Sequence, residues 1–496
     1  MTHISRRGVL TGIIGAGALA GLASCGIEPN QKSLGASAIQ LREDALFKSG
    51  KARVFELTAK SSEIDLGGTI AKTWTYGGSL PGKIIRANIG DRLAVNFSNQ
   101  LPAPTSVHWH GLAIRNDMDG VPGLTTPEVG PGGTFKFDFT VPDPGTYWFH
   151  PHSGTQLDRG LYAPLIVDDP NEVATYDKEW IVILDDWTDG VGKGPDEILA
   201  SLMQGSGISS DMGGMGDMGG MGDMGGMGDM GGMDGGDVIY PMYLINGKPA
   251  NDPEVLTAKP GERIRIRIIN AAADTVFDVA LNRHKLTITH TDGFPVKNFG
   301  TDSLRIGMGE RYDIQVTIQD GVFALVAAAV GKSALTRALI RSGSGAAPAE
   351  LFRPRELDTR PLTADLLQAV DQVKLAKQQP DRIQELVLKG SMQPYKWTIN
   401  GRTYSDAKPL VTRLDELGTL RIRNNSMMHH PIHLHGHTFQ MGPAGGSGAR
   451  KDTVLVPAMG GINVDFAATN PGKWMIHCHN AYHAEAGMMT RLEYIS

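Results

Sequence analysis

Short segments in which apolar and polar residues alternate recur along the whole chain, and turns rich in glycine and proline separate them. The alternation is clearest in residues 84–95, 134–140 and 261–268. A period of two sends successive side chains to opposite faces of a β-strand. In residues 261–268 arginine alternates with isoleucine, which predicts a strand with one face in water.

Other segments are apolar throughout and predict buried strands, notably residues 145–150 and 180–184. Strands followed by turns are also predicted at 396–401 and 418–423. Many short strands with frequent turns are typical of an all-β architecture. The 496 residues suffice for about three domains of roughly 150 residues each. The predicted division is a segment 1–44, domains 45–172, 177–345 and 381–496, and a connector 346–380.

Net charge and cysteine content exclude some partners and some structural features. The net charge is −6 and the chain has no basic run, so nucleic acid is not an expected partner. The chain has two cysteines, Cys25 and Cys478. The first lies in a targeting segment and the second among histidines, so no structural disulfide is predicted.

The N-terminus predicts export. Residues 5–10 resemble a twin-arginine signal, and the apolar run that follows is too short to span a membrane. We therefore expect recognition by the twin-arginine export machinery and a periplasmic location. Residues 22–25 also resemble the lipobox of bacterial lipoproteins, which would anchor the mature chain through a lipid on Cys25. Cleavage near residues 18–20 would instead leave a soluble protein.

One stretch near the C-terminus, residues 474–488, carries a dense set of metal-binding side chains: His477, Cys478, His479, His483 and Met488. On a strand, His477 and His479 would share one face, and Cys478 would point to the other. Thiolate, imidazole and a weak axial thioether are ligands of blue-copper centres. Metals on the two faces would be joined by a short covalent path through Cys478.

Three further clusters supply more imidazoles. They are His108 and His110, His150 and His152, and His430, His433 and His435. Each pair separated by one residue points both rings to one side of a strand. In the third cluster His430 has the opposite parity, so it can serve the thiolate-bound metal while the other two join the remaining imidazoles.

These four motifs, in this order, resemble those of the multicopper oxidases, which include laccases and bacterial cuprous oxidases. The resemblance covers nearly all of the chain after residue 45. It implies three cupredoxin-like Greek-key β-sandwich domains, four copper ions and reduction of dioxygen to water. The implied ligands are His430, Cys478, His483 and Met488 for type 1 copper, His108 and His433 for type 2 copper, and His110, His150, His152, His435, His477 and His479 for the type 3 pair.

The resemblance also suggests two acids for proton delivery. Asp119 aligns with an acid near the type 2 copper, although an Asp before a Gly also forms turns. Glu485 aligns with an acid found in copper-resistance members. Other members carry a Glu directly after the ligand histidine, where this chain has Ala484.

A low-complexity insert, residues 203–236, interrupts the second predicted domain. It is too rich in glycine to hold a helix or to fold alone. Thioethers are soft ligands that select Cu(I), so the insert predicts copper binding, whereas a linker formed by repeat slippage is the alternative. Its methionines recur every third residue: Met212, Met215, Met218, Met221, Met224, Met227, Met230 and Met233.

The substrate is predicted to be Cu(I), in a role in copper tolerance. Besides the insert, Met427 and Met428 precede His430, and a methionine at the position of Met428 lines the substrate-copper site of cuprous oxidases. Those enzymes have an acid where this chain has Ser426, and core packing is the other interpretation of the two methionines. A laccase-like oxidase of small phenols and a copper-binding scaffold without turnover are the competing hypotheses; the complete ligand set argues against the scaffold.

Overall fold

The computed structural model describes residues 34–172, 175–205 and 235–496. This part of the chain forms six β-sheets, which follow one another along the sequence as three pairs. The all-β prediction is therefore confirmed. The repeated period-two pattern explains the result, because each sheet buries one face against apolar side chains of its neighbours.

The first pair consists of two four-stranded sheets, with strand orders β2-β1-β4-β6 and β3-β8-β7-β5. Their core contains Phe97, Trp109 and Phe137. The strands are β1 (Ala52–Asp65), β2 (Ile70–Tyr76), β3 (Ile85–Asn88), β4 (Arg92–Gln100), β5 (His108–His110), β6 (Thr134–Thr140), β7 (Gly145–His150) and β8 (Ala163–Asp168).

The second pair has six and five strands, in the orders β10-β9-β12-β17-β14-β15 and β11-β19-β18-β13-β16. Helix α2 (Pro195–Met203) follows β9 and ends where the methionine-rich insert begins. The strands are β9 (Lys178–Trp187), β10 (Met242–Ile245), β11 (Val255–Thr257), β12 (Arg263–Asn270), β13 (Phe277–Leu281), β14 (Leu286–Thr291), β15 (Phe294–Thr301), β16 (Leu304–Ile306), β17 (Arg311–Thr317), β18 (Val322–Ala329) and β19 (Leu335–Arg341).

The third pair again has six and five strands, in the orders β21-β20-β23-β28-β25-β26 and β22-β30-β29-β24-β27. The short helix α3 (Ala481–Glu485) follows β29. The strands are β20 (Arg382–Met392), β21 (Tyr395–Ile399), β22 (Leu410–Thr412), β23 (Leu417–Asn424), β24 (His430–Leu434), β25 (Phe439–Met441), β26 (Arg450–Lys451), β27 (Thr453–Val456), β28 (Gly461–Ala467), β29 (Lys473–Cys478) and β30 (Met489–Tyr494).

Numbered in chain order, the three sheet pairs are called the first, second and third regions. Short 3-10 turns occur in the first and third regions and in the predicted connector. They are Asn116–Met118, Gly154–Asp158, Arg355–Asp358, Ala364–Leu366, Asp371–Val373 and Tyr404–Asp406. Helix α1 (Ala36–Ala45) falls largely within the segment that we predicted to be signal and linker. The Glu43 carboxylate ties this helix to the first region by accepting hydrogen bonds from the backbone N–H and hydroxyl of Thr140.

Two predictions about strands were wrong in detail. Residues 84–95 are two strands, because Gly90 has a φ of +79° and turns the chain between β3 and β4. Two of the three arginines of β12 do not face water: the side chains of Arg265 and Arg267 are 3% and 2% exposed and form ion pairs with Asp313, whereas Arg263 is 50% exposed. A buried carboxylate thus replaces the solvent that the alternating pattern predicted.

No helix in the described ranges is long and apolar enough to cross a membrane. Cys25, the twin-arginine motif and Met212–Met233 lie outside the described residues, so the predictions made for them stay predictions.

Candidate metal centres

Two antiparallel strand pairs bring the histidine motifs face to face. In the first region β5 pairs with β7, and His108 lies opposite His150. In the third region β24 pairs with β29, and His433 lies opposite His477. Strand register therefore joins motifs that are far apart in sequence.

The histidines of the two regions meet in one largely buried group, the eight-imidazole cluster, which consists of His108, His110, His150, His152, His433, His435, His477 and His479. Ligand nitrogens lie within 4.8 Å of one another in three triads: His108, His110 and His433; His110, His150 and His479; and His152, His435 and His477. The two histidines predicted for type 2 copper each stack on a neighbour predicted for the type 3 pair. The ring centroids are 3.9 Å apart for His110 and His433 and 3.8 Å apart for His108 and His435.

In His108, His433 and His477 an outer hydrogen bond leaves one ring nitrogen for a metal. The Nδ1–H groups of His108 and His433 donate to the backbone carbonyls of Asp119 and Asp452, at 2.8 and 2.9 Å. The corresponding bond of His477 goes to the carbonyl of Cys478, at 2.8 Å. Such contacts fix the tautomer of a metal-bound imidazole and orient its ring.

The ring nitrogens that point into the eight-imidazole cluster are arranged as metal ligands. The Nε2 atoms of His108, His150 and His433 are buried without a hydrogen-bond partner. His110 Nδ1 and His479 Nε2 face each other at 3.2 Å. Inward-facing lone pairs need a cation between them, and imidazole suits copper.

The pKa values of several of these rings also favour metal binding. Burial, reinforced by the neighbouring imidazoles, holds the pKa well below the usual histidine range in His110, His150, His152, His435 and His479. The rings are therefore neutral at physiological pH, and neutral imidazole is the form that binds a metal.

The second centre, the thiolate site, consists of His430, Cys478 and His483, with Met488 as the predicted fourth ligand. The sulfur of Cys478 lies 3.6 Å from His430 Nδ1 and 3.8 Å from His483 Nδ1, and the two nitrogens are 3.1 Å apart. Met488 is fully buried, and its carbonyl accepts a hydrogen bond from the N–H of Cys478. This donor set fits a blue copper.

The outer nitrogens of the thiolate site have different partners. His430 Nε2–H donates to the Ser426 hydroxyl at 2.7 Å, whereas His483 Nε2–H donates to the Asp237 carboxylate at 2.8 Å. Tyr395 also donates to Asp237, and the ring of Trp397 lies 3.8 Å from that of His483. The sequence analysis did not single out Asp237; its only signal is its place directly after the methionine-rich insert.

The two predicted acids occupy different surroundings. The Asp119 side chain is buried, with Oδ2 3.1 Å from His435 Nδ1 and Oδ1 3.3 Å from His108 Nδ1. Glu485 is exposed and lines a small cleft together with His150 and His477. Surrounding protein atoms and Asp196 raise its pKa. Both acids are next to the cluster, and their proton-transfer roles remain predictions.

The two methionines before His430 differ in exposure. Met427 is 48% exposed, whereas Met428 is partly buried and packs on the core. A role in binding substrate copper remains a prediction for both.

Comparison with known proteins agrees with this geometry. Three family models, each described as multicopper oxidase, match residues 58–172, 178–345 and 377–495. The chain is 49% identical to multicopper oxidase MmcO of Mycobacterium tuberculosis, over 99% of this chain and 97% of that protein. It is 28% identical to a copper resistance protein A homolog of Pseudomonas syringae pv. tomato, over 88% and 91% of the two chains.

Solved structures share the fold. The multicopper oxidase Fet3p, which functions in iron import, superposes with a TM-score of 0.75 at 21% identity over 90% of each chain. A multi-copper oxidase from Pseudomonas thermotolerans gives a TM-score of 0.67 at 25% identity, over 89% of this chain and 99% of the other. With its domain matches, its 49% identical relative and its two imidazole-rich centres, the chain belongs to the multicopper oxidase family.

Proposed function

We propose that the protein oxidises Cu(I) to Cu(II) and reduces dioxygen to water, in copper tolerance outside the cytoplasm. It would hold four copper ions: one in the thiolate site, and one type 2 ion and a type 3 pair in the eight-imidazole cluster. When bound, these ions supply one-electron transfer and oxygen reduction. The protein supplies ligand geometry, exclusion of water and protons.

The proposal that Cu(I) is the substrate rests on the outer edge of the His483 ring, which is shielded from solvent. This imidazole and the Asp237 carboxylate that it contacts are each only 1% exposed. A phenol therefore cannot lie against the ring without displacing Asp237. A small cation need not displace Asp237, because the carboxylate attracts it. Its electron can then pass through the hydrogen bond between Asp237 and His483.

The methionine-rich insert supports the same substrate. Its last two residues, 235 and 236, are described, and they lead directly to Asp237. We propose that the thioethers of Met212–Met233 collect Cu(I) and deliver it to this edge of the thiolate site.

Within the protein, Cys478 connects the two centres. It lies between His477 and His479, which belong to two different triads of the eight-imidazole cluster. An electron accepted at Cys478 can thus reach either triad along the backbone of one residue. We propose that Asp119, which contacts His108 and His435, moves protons toward the same cluster.

Laccase-like oxidation of phenols is the second candidate. It is favoured by the same carboxylate, because Asp237 could accept a phenol hydroxyl if the loop that carries it moved. Laccases are also among the relatives: laccase-2 of Botryotinia fuckeliana is 27% identical over 90% of this chain. A scaffold without turnover would not need twelve potential ligands in two complete centres.

Oxygen uptake with Cu(I) and with a dimethoxyphenol distinguishes these functions. The informative variant replaces by leucine the eight methionines that recur every third residue in the insert, Met212 to Met233. The control replaces the exposed Met392 and Met459 instead. We expect a severalfold loss of Cu(I) oxidation with unchanged phenol oxidation, and no change in the control. An equal loss on both substrates, or no loss on Cu(I), would contradict the proposed role of the insert.

A further inference from the structure

A buried ion pair lies beside the eight-imidazole cluster, although the second region of the chain contributes none of its imidazoles. Arg311, at the start of β17, and Asp452, just before β27, are both 0% exposed. Arg311 Nη1 and Nη2 donate to the two carboxylate oxygens of Asp452 at 2.7 and 2.6 Å. This is the forked geometry in which a guanidinium fixes the plane of a carboxylate.

The guanidinium of Arg311 also makes hydrogen bonds to backbone carbonyls and a contact with an aromatic ring. Its Nε–H donates to the backbone carbonyl of Thr146 in the first region, at 3.0 Å. Its Nη1 also reaches the carbonyl of Gly309, at 3.2 Å. The ring of Tyr147 lies 5.5 Å from its central carbon. Arg311 therefore joins a strand of the first region to Asp452 of the third.

Asp452, held by Arg311, in turn contacts the imidazoles of His110 and His433, both directly and through Thr453. The hydroxyl of Thr453 donates to Asp452 Oδ1 at 2.8 Å. Because its proton is used in this bond, the Thr453 oxygen can only accept further hydrogen bonds. It lies 3.1 Å from His110 Nε2 and 3.1 Å from His433 Nδ1. Asp452 Oδ1 is 3.3 and 3.4 Å from the same two nitrogens.

The direction of these bonds decides which nitrogen of His110 can bind a metal. When Thr453 donates to Asp452, His110 must carry its proton on Nε2, and Nδ1 keeps the lone pair that faces His479. Without a carboxylate held in place, the hydroxyl is free to turn and donate to Nε2. The ring proton would then move to Nδ1 and block the ligand position.

We propose that Arg311 is a positioning residue for the metals of the eight-imidazole cluster. Through Asp452 and Thr453 it fixes the tautomer of His110 and helps to orient both His110 and His433. The second region thus does more than separate the other two. The inference rests on the copper assignment of the cluster and not on the identity of the reductant.

The test compares Arg311→Met and Arg311→Lys with a matched control, Arg265→Met. Arg265 is also a buried arginine in an ion pair, with Asp313, but it contacts none of the eight imidazoles in the structure. Copper per chain is measured during a chelator challenge of the loaded protein. Electron paramagnetic resonance distinguishes type 2 copper from blue copper, and visible absorption reports the thiolate site.

In Arg311→Met we expect cluster copper to be held about 10–100-fold more weakly, the usual effect of losing an outer partner of a ligand, while the blue absorption is retained. Arg311→Lys keeps the charge but not the fork and should lie between this variant and the wild type. Arg265→Met should retain both kinds of copper. Asp452→Asn should reproduce the loss, and combining it with Arg311→Met should add little, because the two residues act as one unit.

Wild-type retention of type 2 copper in Arg311→Met would overturn the proposal. So would equal loss in Arg265→Met, which would show general destabilisation. If Arg311→Met fails to fold, normal cluster copper in both Arg311→Lys and Asp452→Asn would equally overturn it. Loss of cluster copper in Arg311→Met, with a wild-type protein that oxidises the phenol but not Cu(I), would refute the proposed substrate and leave the positioning role of Arg311 intact.

Discussion

The imidazole of His483 donates a hydrogen bond from Nε2 to Oδ2 of Asp237, at 2.8 Å and almost completely shielded from water. This contact puts a negative charge on the outer edge of a predicted copper ligand. A carboxylate in that position makes the imidazole a stronger donor and favours the oxidised metal. The same contact closes the edge through which electrons enter the thiolate site in the proposed function.

Asp237→Asn should raise the reduction potential of the blue copper. The amide has the same shape and can still accept from Nε2–H, so the change isolates the charge. We expect a shift of tens of millivolts, since about 59 mV corresponds to each tenfold change in the relative stability of the two oxidation states. Redox titration of the blue absorption measures it. Ser426→Ala, at the neutral partner of His430, is the control and should give a smaller shift; equal shifts would contradict the role of the charge.

Cys478→Ser should abolish the blue absorption and all oxidase activity while leaving the fold intact. Among the described residues Cys478 is the only free cysteine, so this part of the chain offers no other thiolate for the site. Serine is nearly the same size but is a poor ligand for copper of this type. Absorption, oxygen uptake and circular dichroism are compared with the wild type. A variant that kept its colour would refute the assignment of the thiolate site.

Asp119→Asn should slow the oxygen half of the cycle, with a defect that worsens as pH rises. A carboxylate can relay a proton and an amide cannot, and such transfers are worth about 10²–10⁴-fold in rate. In stopped-flow experiments the blue copper should bleach normally with reductant and recover slowly with oxygen. Glu485→Gln is the companion variant, because Glu485 lines the cleft on the other side of the cluster. Normal recovery in Asp119→Asn alone would transfer the role to Glu485 or to water.

Glu416→Gln tests an ion pair far from the metals. Its bidentate bond to Arg382, at 3.1 Å for both contacts, lowers the pKa of Glu416 to about 2. The folded pKa lies below the ordinary value of 4.5, so the stabilisation is fully present above pH 4.5 and disappears as pH falls toward 2. We expect a cost of about 1–3 kcal/mol at pH 7, constant down to pH 5 and shrinking below it.

Urea unfolding of metal-free protein between pH 3 and 7 measures this cost. Glu385→Gln is the matched control, because Glu385 pairs with Arg421 and Arg423 in a more exposed position. Exposed pairs contribute little, so its effect should stay below about 1 kcal/mol at every pH. A Glu416→Gln effect that did not change between pH 5 and 3 would contradict the assigned cause.

The sequence by itself determined the features that depend on local geometry. Successive side chains of a strand point to opposite faces, so the order His477, Cys478, His479 already separates a thiolate centre from an imidazole centre. The parity of His430 relative to His433 and His435 assigns it to the thiolate side for the same reason. The all-β class also follows from local alternation and turn residues, without knowledge of which strands pair.

Only the tertiary structure decided the partners that surround these ligands. Asp237 and His483 are 246 positions apart, and Arg311 and Asp452 are 141 apart. Neither pair leaves a periodic signal, because a single contact between distant segments imposes no spacing on either one. The alternation of Arg265 and Arg267 with isoleucine even predicted water where Asp313 lies. Local pattern fixes the direction in which a side chain points, whereas the packing of distant strands fixes what it meets there.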